Sequence, residues 1–225
     1  MEKLATNLYA KIGRAFLKTI DKVVKDKDGN DNRLLFDTLD KISLNDGFCL
    51  GAHMAEAVGM GDESFFYVYE KGNDPFADKD NLEMKIERMY LKRDCFSDLI
   101  VEPSAMGAWQ AYLFHVAPTV MPVFWHGGYI RRYFIFSLSA LRNITGPKLV
   151  DYYNPINGLD EVNEQYLIPS VSIDNNKASV SCCYWTDWGG LIRETVIVKF
   201  KGSRIASISG GRCKTLIKYD CGICY

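Results

Sequence analysis

Apolar residues recur every three or four positions at the start of the chain: Leu4, Leu8, Ile12, Phe16 and Ile20, with Ala5, Tyr9 and Val23 or Val24 beside them. That period matches the turn of an α-helix and gathers the apolar side chains into one stripe, so residues 1–24 are expected to form an amphipathic helix. The stripe needs a cover. The protein's own core is the first candidate, and a homodimer contact or a membrane surface is the alternative. Leu34, Leu35, Leu39 and Ile42 predict a second helix, and Phe48 to Val58 a third that ends at Gly59 and Gly61. Phe65 to Glu70 (FFYVYE) reads as a strand. Leu82 to Arg93 fits both periods and is assigned to helix on the capping-box placement of Asp80 and Glu83.

The most apolar stretch lies between Ser104 and Leu141. Met106 to Trp125 is almost continuously apolar, but Gln110 and His115 interrupt it, Pro118 and Pro122 break it, and Arg131 and Arg132 follow closely. A membrane span is therefore not expected. Ala105, Trp109, Tyr112, Leu113 and Val116 share a helical face, which predicts a helix from Ser104, its cap, to Val116, with Pro118 stopping it. After Gly127-Gly128, Tyr129 to Phe136 reads as a strand with Ile130, Arg132, Phe134 and Phe136 on one face.

Beyond Gly146-Pro147 the period changes from helical to alternating. Strands are expected at Ser170 to Ile173, Ala178 to Thr186, Leu191 to Phe200, Arg204 to Ser209 and Arg212 to Tyr219. The turns between them, such as Asp187-Trp188-Gly189-Gly190 and Gly210-Gly211, are short enough to place consecutive strands side by side. The pattern predicts an α+β fold: one domain spanning residues 1–225, helical over about 1–145, with a roll-like antiparallel meander over about 146–225.

Composition narrows the function classes. With 27 basic and 28 acidic residues and a formal charge of −1, no nucleic-acid partner is expected. Residues 1–24 carry charged residues throughout, among them Lys3, Lys11, Lys18, Asp21 and Lys22, and lack the apolar core of a secretory signal, which points to a cytoplasmic protein. Seven cysteines, an odd number, fit reduced thiols better than a disulfide framework. The polar run Asp26 to Asn32 superficially resembles a calcium loop. Its glycine comes fourth, and its twelfth position is Asp37 where an EF-hand has glutamate.

Candidate chemistry is sparse. On the strand Leu191 to Phe200, Glu194 shares a face with Ile192, Val196 and Val198, and Arg132 is the corresponding anomaly among Phe134 and Phe136. A buried charge left unpaired is costly, so the two are expected to project into one interior, either paired or flanking a polar ligand. With an even number of loop residues at 187–190, Cys183 and Trp185 would stand across from Glu194; a three-residue loop would send them to the other face. Trp125, His126 and Tyr129 flank the glycine pair and form a second candidate, with His126 as a proton carrier.

Cys221 and Cys224 have the spacing of half a zinc site, with Cys213 and Cys182 or Cys183 as the remaining thiols. His53 and Glu56 are one helical turn apart if their segment is a helix. Neither set is complete, so no metal or cofactor is assigned. The leading expectation is a pocket for a small polar or aromatic ligand lined by Arg132, Trp125, Tyr129, Trp185 and Cys183. An enzyme using Glu194 or His126 as general acid or base is the second reading, and an interaction module acting through residues 1–24 the third.

Overall fold

The computed structural model describes residues 2–25, 33–53, 64–74, 98–121, 128–143 and 156–222. The first helix, α1, spans Glu2–Lys25. Tyr9, Phe16, Ile20 and Val23 on its stripe are buried in the main core, so this face is covered by the protein itself; Leu8 is exposed. Gly13 lets the Phe136 ring lie directly on the helix, since a Cβ there would come within 2.5 Å of the ring.

The second helix is shorter than its apolar spacing suggests. α2 covers Arg33–Thr38, and Ile42 instead opens a strand, β1 (Ile42–Leu44). The third expected helix is a strand over its first half: β2 (Phe48–His53) pairs antiparallel with β3 (Phe65–Glu70) from Phe48↔Glu70 to His53↔Phe65. Phe48, Leu50 and Ala52 alternate as well as they spiral, and the aromatic β3 supplies a full ladder that an isolated helix would not have. Gly51, poor in a helix, sits opposite Tyr67, whose ring occupies the place of a glycine side chain: a Cβ would approach its Cζ to 2.1 Å. Residues 54–58 and 82–93 lie outside the described residues. β4 (Leu99–Val101) returns to pair with β1.

The central helix, α3, runs Ala105–Val120. Ser104 caps it as expected, accepting from the Gly107 amide at 3.1 Å. Pro118 does not stop it. The helix continues to Val120, so the proline removes one amide donor inside the last turn rather than in mid-helix, where the loss would be greatest. Most of α3 is buried, including Trp109, Tyr112 and Leu113 at 0 % exposure. Removing an aromatic ring so placed typically costs about 3–5 kcal/mol. Buried Gln110 is answered by the Lys41 amide at 2.6 Å and by Asp40 at 2.8 Å, so the polar interruption of the apolar run serves the core. Among the described residues no helix is long and apolar enough to cross a membrane.

The large sheet is built around a long hairpin. β5 (Tyr133–Ile135) is followed by the short helix α4 (Leu138–Arg142), two 3-10 turns (Leu159–Glu161 and Glu164–Leu167), and then β6 (Ser170–Asp174), β7 (Lys177–Thr186), β8 (Gly190–Lys201), β9 (Arg204–Ser209) and β10 (Cys213–Ile217). β7 and β8 pair from Lys177↔Lys199 to Thr186↔Gly190. β5 and β6 lie end to end along the outer side of β7, and β9 and β10 end to end along the outer side of β8. Consecutive strands therefore pair from β6 to β9, but β9 and β10 do not pair with each other despite the short Gly210-Gly211 connection. At that break Arg212 accepts from the Thr195 amide at 2.9 Å, and Gly211 presses on the β8 backbone so closely that a Cβ would lie 1.5 Å from the Thr195 carbonyl oxygen.

Paired residues share a face, so the hairpin sorts its side chains cleanly. Ala178, Val180, Cys182 and Tyr184, with Val196, Val198 and Phe200, face the helices and join the main core. Cys183, Trp185 and Leu191 face the opposite way, into a second cluster with Tyr129, Ile135, Leu141, Leu167, Ile217, Tyr219 and Cys221. The architecture is thus α+β, with N-terminal and central helices packed on a mainly C-terminal antiparallel sheet.

Candidate functional site

The segment entering β5 laces the end of α3 to the sheet. The Arg132 amide donates to the Thr119 carbonyl at 2.8 Å, and the Arg131 guanidinium donates to the Val120 carbonyl at 2.9 Å, which satisfies carbonyls of the last helical turn with groups of favourable charge. These contacts keep the chain out of the sheet before Tyr133, so the expected strand from Tyr129 is reduced to three residues. They also fix where the Arg132 side chain emerges.

Arg132 Nη1 meets Glu194 Oε2 at 2.7 Å. The guanidinium lies over the Tyr184 ring, 4.2 Å from its centroid, so one face of the cation is covered by π density. Tyr112, fully buried on α3, donates to the same Glu194 oxygen at 3.0 Å and lies 3.1 Å from the Cys182 sulfur. Tyr112 has one hydroxyl hydrogen, and the carboxylate can take it. The thiol must then be the donor in the second contact, giving an ordered chain from Cys182 through Tyr112 to Glu194.

Electrostatics follow from this burial. Desolvation pushes the Cys182 thiol up to about 12 and raises the Tyr112 phenol well above its ordinary value. Desolvation also raises Tyr184 to about 12, against the pull of Arg132. Burial works against the Arg132 charge, but facing Tyr184, Glu194 and Tyr112 outweigh it, and the guanidinium stays protonated. His115, on the exposed flank of α3, feels partial desolvation and the Arg132 cation, and its imidazole is shifted below the ordinary value. Cys213 stands across from Glu194 on β10 as Cys182 does on β7, so the carboxylate is flanked by a thiol on each neighbouring strand, one exposed and one buried.

No family model, curated protein or solved structure matches the chain. What the site can do is therefore read from its own chemistry.

Of the residues singled out in the sequence, Arg132 and Glu194 come together. Cys183 and Trp185 do not. The β7–β8 turn holds three residues, Asp187 to Gly189, so register places Cys182 and Tyr184 beside Glu194 and sends Cys183 and Trp185 to the far face with Tyr129. There the Cys183 thiol donates to the Tyr166 carbonyl at 3.0 Å, and Trp185 donates to Asp187 at 3.0 Å. Trp125, His126 and Cys224 lie outside the described residues. Of the thiols named for zinc, Cys182 and Cys213 stand across from Glu194 while Cys183 and Cys221 lie in the far cluster, and among the described residues no group of three or more metal-ligating side chains occurs. Tyr112 and Tyr184 are site neighbours that sequence reading assigned only to core or strand, and Cys182 is one that it named only as a possible zinc thiol. Counting three loop residues rather than four would have exposed the last two.

Proposed function

We propose that the chain binds a small, planar, polar ligand at the solvent edge of the Arg132–Glu194 pair. The observation that carries this reading is a charge pair set between layers yet not sealed: the Arg132 and Glu194 side chains retain 22 % and 10 % exposure, with the Tyr184 ring as a flat wall behind the guanidinium. An arginine presents several N–H donors and a carboxylate several acceptor positions, so a ligand offering an acceptor beside a donor is matched to the pair. An aromatic amide has that arrangement and a ring of the right shape. A carboxylate ligand would bring its charge close to Glu194 and is disfavoured.

Use of Glu194 as a general acid is the weaker reading. Arg132 and Tyr112 both donate to its Oε2, an arrangement that suits accepting a hydrogen bond from a ligand better than delivering a proton.

The test is a thermal-shift and calorimetric titration of wild type with benzamide and with benzoate, repeated on Glu194→Gln. Benzamide is expected to bind wild type, benzoate to bind more weakly, and the variant to lose benzamide affinity by about tenfold or more, equivalent to about 1.4 kcal/mol. A response to neither probe, or equal benzamide binding by both proteins, would sink the proposal.

A further inference from the structure

The far face of the sheet carries a second polar anomaly, unrelated to the Arg132–Glu194 pair. Asp187 opens the β7–β8 turn and is 1 % exposed. Its surroundings hold it firmly: its amide donates to the Tyr129 carbonyl at 3.0 Å, its carbonyl accepts from the Cys221 amide at 2.9 Å, and its Oδ1 accepts from Trp185 Nε1 at 3.0 Å. Among the described residues the other carboxyl oxygen, Oδ2, is buried without a hydrogen-bond partner. Native proteins rarely tolerate such an orphan.

The neighbourhood is aromatic. Trp185 and Tyr219 pack with ring centroids 5.0 Å apart, and Tyr129 stacks on Trp188 at 5.4 Å. Trp188, directly after Asp187, is only half-buried. Aromatic faces attract cations, and a carboxylate among them supplies the complementary charge. Protonating Oδ2 would remove the charge but leave an O–H that still needs an acceptor. A divalent metal needs several oxygen or nitrogen ligands, and Asp187 belongs to no group of three such side chains among the described residues. A protonated amine needs less. One N–H satisfies Oδ2, and its carbon substituents and remaining charge rest against the rings.

We propose that Asp187, with Trp188 and Tyr129 beside it, is a binding site for a small protonated amine. The hydrogen bond to Oδ2 makes the site selective for ammonium groups that carry an N–H.

The probe is methylammonium chloride compared with sodium chloride at equal ionic strength, read by melting temperature and by tryptophan fluorescence. Methylammonium is expected to raise the melting temperature and change the fluorescence of wild type. Tetramethylammonium, equal in charge but without an N–H, is expected to bind at least about tenfold more weakly, a difference of about 1.4 kcal/mol. Asp187→Asn keeps an acceptor for Trp185 and removes the charge, and the methylammonium response should vanish. Should Asp187→Asn fail to fold, Trp188→Leu leaves the carboxylate in place and removes a ring, and the response should fall at least severalfold. Equal melting temperatures in the two salts, equal binding of the two ammonium ions, or a response that survives these variants would overturn the proposal. Because this site and Glu194 are on opposite faces, failure here leaves the benzamide titration unaffected.

Discussion

Replacing Tyr112 with Phe isolates what the buried hydrogen-bond chain contributes. The ring itself stays: it stacks on Trp109 at 5.7 Å and meets Phe134 edge-on at 6.2 Å, and neither contact uses the hydroxyl. What is lost is the 3.0 Å bond to Glu194 and the acceptor for the Cys182 thiol. A hydrogen bond to a charged group contributes about 1.5–3 kcal/mol, and the thiol bond is weak, so the expected loss is about 2 kcal/mol. With a urea m-value of about 2 kcal/mol/M, the unfolding midpoint should fall by about 1 M. The assay is equilibrium urea unfolding of wild type, Tyr112→Phe, Glu194→Gln and the double variant. Because the two residues are in contact, the cycle should show a coupling of about 1 kcal/mol or more. A midpoint shift below about 0.2 M, or strictly additive effects, would refute the chain as described.

Gly211→Ala should destabilise by about 3 kcal/mol, because its Cβ would collide with the Thr195 carbonyl, whereas Gly210→Ala, with nothing within 4 Å of its Cβ, should fall within about 0.5 kcal/mol of wild type. Melting curves of the two variants decide this, and similar melting temperatures would contradict the packing at the β9–β10 break. Brief alkylation of the native protein followed by peptide mapping should find Cys213 modified and Cys182, Cys183 and Cys221 protected, since the first is exposed and the others are buried. Rapid labelling of Cys182 would place it wrongly.

Asp187 yields a pH dependence. Burial raises its pKa in the folded chain, so over the acidic window between the ordinary aspartate value and the raised one the native state holds a proton that the unfolded chain has released. Its contribution to stability is full below that window and is lost as pH rises through it. In amine-free buffer, wild type should lose stability relative to Asp187→Asn as pH rises. A difference independent of pH would contradict this.

The strands with strong alternation were legible without coordinates. Arg204–Ser209 and Phe65–Glu70 fall where the pattern put them, β7 begins one residue earlier and β8 is longer by one residue at each end, because β-branched and aromatic alternation bounded by turn residues has few other solutions. Phe48–His53 is ambiguous in sequence because its apolar residues satisfy both periods. The choice between them was made by β3, a partner distant in sequence. Pro118 does not end α3, since a proline near a helix end loses little.

The Arg132–Glu194 meeting was foreseeable from two charges stranded on apolar faces. Its companions were not, because a one-residue difference in the 187–189 turn exchanges Cys183 and Trp185 for Cys182 and Tyr184. Tyr112 looked like any other core aromatic. Nothing in a helical stripe tells which hydroxyl will reach across to a strand 82 positions away.

The most direct measurement is a crystal structure of wild type grown with benzamide. The predicted result is a benzamide with its carbonyl within about 3 Å of the Arg132 guanidinium and its amide donating to Glu194. An Arg132–Glu194 pair closed on itself, with benzamide bound elsewhere or nowhere, would contradict the assignment of a binding site there.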